Sequence, residues 1–75
     1  MREKVLEILN DCCPDVDFEN ETALIDDGLL ESLDIVMIVT DLDHEFDVDI
    51  NVDDLLPENF NSVDAIVELV RSKLA

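Results

Sequence analysis

The chain has 75 residues, 48% of them apolar and 4% aromatic, with a formal net charge of −17. A chain this short forms one small domain without room for a large enclosed active site, and so negative a balance repels nucleic acid and anionic lipid while attracting proteins that carry basic patches. With few aromatics, Leu, Val and Ile are left to build the core.

Val5, Leu6, Leu9 and Cys13 recur at helical spacing, and Pro14 blocks continuation, which predicts a first amphipathic helix over about residues 2 to 12. Charges interrupt its apolar pattern, and nowhere does an apolar run approach the length of a membrane span, so the chain reads as soluble and cytoplasmic, without membrane insertion. The two cysteines, Cys12 and Cys13, are adjacent and form no disulfide framework. With the single histidine, His44, far away in sequence, no metal site is expected, and a reducing compartment fits best.

Residues 13 to 31 hold Pro14, many acids and the only glycine, Gly28, and read as a long loop. Loops of that length in a small domain are usually functional or disordered, and Leu24, Ile25 and Leu29 argue for a loop packed onto the core. The second helix is predicted over about Ser32 to Phe46, with Val36, Val39, Leu42 and Phe46 as its main inward stripe, widened by Ile35 and Ile38. Leu33, Met37 and Thr40 lie on another edge, a ridge bordered by acids beside Ser32.

After Phe46, Val48, Ile50 and Val52 alternate as in a strand, but no partner strand is visible, and "VDDLL" before Pro57 reads instead as one short helical turn. The last helix opens at Asn61 or Ser62, either able to cap it, and turns Val63, Ile66, Val67, Val70 and Leu74 inward. Arg71 and Lys73 suit the negative end of its dipole. The fold class is therefore all-α: a small four-helix bundle of three longer amphipathic helices and one short one, with a long first loop, in a single domain over residues 1–75.

Catalytic inventories come up empty. Ser32 has no base, since His44 lies three turns along the same helix, about 18 Å away. Phosphate-binding loops need clustered glycines, and there is one glycine. The segment "DVDINVDDLLPE", from Asp47 to Glu58, sets oxygen donors at positions one, three, five and twelve of a calcium-binding loop. Against that reading, Val52 stands where the loop needs glycine, and Pro57 disturbs the approach to Glu58. An acidic calcium-binding or adaptor module stays open as the alternative of another class.

The stretch "DGLLESLDIV" resembles the attachment motif of acyl carrier proteins, and the resemblance extends through "EFDVDI" and "LLPENFNSVDAIVELV", in the expected order after a first helix and a long acidic loop. It implies that a phosphopantetheinyl transferase moves 4′-phosphopantetheine from coenzyme A onto Ser32, and that the thiol of the arm then holds an acyl or aminoacyl group as a thioester. On this reading the chain is a monomeric carrier and not an enzyme. Loading and processing enzymes with basic docking patches are expected to read Glu31, Leu33, Asp34, Met37, Thr40, Asp41, Asp43 and Glu45. Glu31 stands where the family most often has Asp, which keeps the charge and weakens capping. Met37 and Thr40 make the face beside Ser32 less acidic than in fatty-acid carriers. Fatty acid or related biosynthesis is the first expectation, and a specialised carrier for D-alanine, another amino acid or a secondary metabolite is the second.

Overall fold

The structure, a computed structural model, describes residues 1–74. Pro14 disfavours helical backbone at the residue before it, and α1 (Arg2–Cys12) accordingly ends where Cys13 turns away at φ −136, ψ 77, its N–H still bonded to the Leu9 carbonyl. Then follow α2 (Ser32–Phe46), a 3-10 turn (Val52–Asp54), α3 (Pro57–Phe60) and α4 (Val63–Leu74). The all-α bundle is as expected, with α1 packed on α2 and α4, and α3 on α4.

The short element differs in detail. The turn expected over "VDDLL" is a 3-10 turn of three residues, and the short α-helix begins one step later at Pro57, whose missing N–H and fixed φ suit a first helical position. Ser62 caps α4, its hydroxyl accepting the Ala65 N–H at 3.1 Å. Asn61 is drawn off to the long loop, as described below.

The helices and aromatics of the core need four corrections. On α2 the buried residues are Ile38 and Leu42, with Ile35, Val39 and Phe46 packed beside them, while Val36 is 56% exposed. Successive three-residue steps drift backward by about 60° each, which leaves Val36 about 120° from Leu42 and outside the stripe. On α1, Ile8 is buried along with Val5 and Leu9, and Leu6 is only partly covered. Leu74 is exposed where an inward position was expected, and Leu69 is buried instead. Finally, the core is not purely aliphatic: Phe18 and Phe60 are the largest fully buried side chains. Phe18 anchors the middle of the long loop and Phe60 the end of α3, so two of the three aromatics hold down the segments with least regular structure.

The long loop is ordered by local hydrogen bonds. Residues 23 to 27 make one helical turn, closed by the Leu29 N–H on the Leu24 carbonyl (2.9 Å) and the Gly28 N–H on the Ile25 carbonyl (3.0 Å). These two bonds with Gly28 at φ 73 form a Schellman motif, which explains the only glycine. Leu24 and Leu30 are buried, whereas Leu29, expected inside, is 37% exposed. Asn61 then ties this turn to the head of α4. Its Oδ1 accepts the N–H groups of Ile25 (2.9 Å) and Asp26 (3.1 Å), its Nδ2 donates to the Asp26 carboxylate (3.2 Å), and its carbonyl accepts the Leu24 N–H (2.9 Å).

Candidate functional site

Ser32 is the first residue of α2 and is exposed. Two anchors hold it there: Leu30, buried two residues before it, and the Ile35–Ile38 face of the helix behind it. Glu31 occupies the N-cap position in extended conformation, and the Asp34 carboxylate reaches back to accept its backbone N–H at 3.2 Å. That bond satisfies one backbone donor and adds a negative charge at the positive end of the helix.

The other hydroxyls are differently placed. Ser62 caps α4, and Ser72 donates to the Leu69 carbonyl at 2.6 Å. Thr40, expected on the recognition face, is exposed but donates to the Val36 carbonyl one turn back (2.8 Å).

Around Ser32 the structure brings together Leu33 (76% exposed), Val36 (56%) and Met37 (50%) on one outer edge of α2 that continues to Thr40. Sequence reading assigned Val36 to the core and so missed it, although the spacing 33, 36, 37, 40 is itself a helical stripe. The acids divide. Glu31 and Asp41 are exposed, while Asp34 is half-buried against the cap. Asp43 is half-buried and its carboxylate accepts the Ile50 N–H at 3.0 Å, holding down the segment after α2. Glu45 stands 4.0 Å from Lys4.

His44, the single histidine, lies three turns from Ser32 on the same helix. The one strongly shifted thiol, that of Cys13, is pushed up to about 12 by burial, then by its hydrogen bond to Cys12 and by the negative charge of Cys12 and Asp34. At neutral pH it is protonated and a poor nucleophile. The Asp47–Glu58 segment is interrupted by the 3-10 turn over Val52–Asp54 and by Pro57, which opens α3.

A family model described as a phosphopantetheine attachment site matches residues 1–70, nearly the whole chain. The chain belongs to this family. Comparison with curated proteins and with solved structures gives no match. As a phosphopantetheine-binding carrier, the chain takes 4′-phosphopantetheine as a covalent cofactor derived from coenzyme A, and carrier domains of this kind work with a phosphopantetheinyl transferase and with acyl-processing enzymes. The residues fit such a group. An exposed hydroxyl stands at the head of a fifteen-residue helix, whose positive dipole end favours a negative phosphodiester. No helix of the described residues is long and apolar enough to cross a membrane.

Proposed function

We propose that Ser32 is the residue of this carrier that holds the 4′-phosphopantetheine arm, and that the chain is an acyl carrier protein serving fatty acid or related biosynthesis. The observation that carries this reading is the exposed Ser32 hydroxyl at the first position of α2, beside the uncovered Leu33, Val36 and Met37. Ser32 Oγ bonds to the phosphorus next to the pantetheine, the pyrophosphate bond of coenzyme A breaks, and adenosine 3′,5′-bisphosphate leaves. The hydroxyl proton passes to a base on the transferase, which is why this chain needs none. Once attached, the arm supplies a thiol that holds carboxylic acids as thioesters. Leu33, Val36 and Met37 form the apolar centre of the face that partner enzymes read, and Glu31 and Asp41 form its acidic rim, steering basic patches toward it. Asp34 and Asp43 serve that face indirectly, by holding the ends of α2. In this reading the 75 residues work as one monomeric, non-catalytic domain, and its two free cysteines suit the reducing cytoplasm.

One observation favours a second reading of the pathway. The edge at Val36, Met37 and Thr40 carries no charge, which suits enzymes whose docking sites are less basic than those of fatty-acid pathways. A specialised carrier for D-alanine, another amino acid or a secondary metabolite fits that edge.

Peptide mapping of the modified protein tests the assignment. The phosphopantetheine mass is expected on the fragment containing Ser32, and its appearance on Ser62 or Ser72 fragments overturns it. Competition between fatty-acyl and aminoacyl loading enzymes for the holo protein then separates the two pathways.

A further inference from the structure

The fold brings together three potential ligands that are scattered in sequence. Cys12 and Cys13 lie at the end of α1, Asp34 lies in the first turn of α2, and one donor atom from each falls within 4.8 Å of the others. The Cys13 thiol donates to Cys12 Sγ at 3.4 Å, and Cys12 Sγ stands 4.0 Å from the Asp34 carbonyl oxygen. All three residues are half-buried. Two adjacent cysteines, with His44 far off, offered no reason in the sequence to expect a metal site; the third donor, Asp34, lies 21 residues beyond Cys13 and arrives through the packing of α1 on α2.

We propose that Cys12, Cys13 and Asp34 form a binding site for a zinc-type thiophilic divalent cation, with solvent completing the coordination. Two thiolates on one tetrahedral zinc stand about 3.8 Å apart, given zinc–sulfur bonds of roughly 2.3 Å, so the pair has to open by only a few tenths of an ångström. A carboxylate has lone pairs enough to keep the Glu31 N–H and accept a cation as well. Thiolate ligands select zinc-type ions over calcium and magnesium, the ions that the exposed acids would draw.

The surroundings favour a cation there. Between Val5 and Val70 the chain has no Lys or Arg, and the last turn of α1 carries no basic residue against the negative end of its dipole. All four basic side chains are committed elsewhere: Arg2 to Asp64, Lys4 to Glu7 and Glu45, Arg71 to Glu68, and Lys73 to Asp54. The Asp34 carboxylate, and the thiolates once formed, attract a cation held among the three donor atoms. Binding displaces two thiol protons to solvent and forms two metal–sulfur bonds and one metal–oxygen bond.

Cobalt(II) titration of the reduced full chain tests the site, read by visible absorption and checked by zinc displacement. One equivalent is expected to give sulfur-to-cobalt charge-transfer bands with strong d–d bands, which zinc abolishes and excess magnesium leaves unchanged. Cys13→Ser, shown to be folded by circular dichroism, is expected to lose the charge-transfer intensity. Asp34→Asn, which keeps the side-chain shape at the cap, is expected to weaken binding by at least the roughly tenfold that loss of even an outer-shell partner costs. Absence of the bands overturns the proposal, as does their persistence in Cys13→Ser. Saturation at one cobalt per two chains overturns it too, because the donors would then come from separate molecules. The phosphopantetheine reading of Ser32 is untouched by either result.

Discussion

Gly28 and Asn61 position Ser32 from a distance. Gly28 closes the Schellman turn at φ 73, and a Cβ added there meets no atom within 4 Å, so Gly28→Ala is a test of backbone strain alone. A loss of about 1 kcal/mol is expected in urea unfolding, and an unchanged midpoint would show that the turn does not need its left-handed residue. Asn61→Ala removes three side-chain hydrogen bonds to residues 25 and 26. It is expected to cost about 1–3 kcal/mol and to speed amide exchange at Ile25 and Asp26 before it affects α4. Exchange that rises uniformly along the chain would contradict the role of Asn61 as a local tie. Gly28 was legible as a loop glycine, but its Schellman role was not, because the motif is defined by which carbonyls accept its neighbours' N–H groups. Asn61 was legible only as a cap candidate. Ser62, one residue on, takes that task, and the partner of Asn61 lies 35 residues back in sequence.

At the scale of elements, α2 has two apolar sides with opposite tasks. Leu42 is fully buried, so Leu42→Ala is expected to cost about 2–5 kcal/mol. Val36 is 56% exposed, and Val36→Ser is expected to stay within about 0.5 kcal/mol of the parent in the same denaturation assay while slowing loading by partner enzymes. A large loss from Val36→Ser would return Val36 to the core. At the other end of α2, Asp47 holds φ 54, ψ 49. Asp47→Gly is expected to stabilise the protein by about 0.5–1 kcal/mol, because glycine accepts this backbone without strain, and a lowered melting temperature would contradict that account. The three longer helices were legible almost to the residue, since Pro14, Ser32 and Ser62 punctuate an otherwise regular periodicity. The orientation of α2 was less legible. Apolar residues at 33, 35, 36, 37, 38 and 39 nearly encircle the helix, and only the packing of α1 and α4 decides which arc is covered. The resemblance placed a short third helix within "LLPENFNSVDAIVELV", but periodicity could not give its bounds, since Pro57–Phe60 is only one turn long with Phe60 buried.

The whole molecule is governed by 21 acids against four bases. Self-repulsion of this size destabilises a compact state, so thermal melts followed by circular dichroism are expected to rise with added salt and with magnesium; melts that do not move would remove charge repulsion from the account. One acid runs counter to the rest. Asp54 has its carboxyl held below the ordinary value, first by the hydrogen bond from Lys73 and then by the Asn51 N–H. A lowered folded value means that its contribution is present above the unfolded value and is lost as pH falls through the folded one. Lys73→Met is therefore expected to raise the Asp54 titration midpoint in carboxyl-detected NMR, and an unmoved midpoint would contradict the pairing. The bundle, its acidity and the exposed edge of α2 all converge on one hydroxyl. Intact mass after incubation with coenzyme A, magnesium and a broad-specificity phosphopantetheinyl transferase, beside a folded Ser32→Ala variant, tests that convergence most directly. One added phosphopantetheine on the parent and none on the variant is the predicted result, and an equal mass gain on both would contradict the assignment of Ser32.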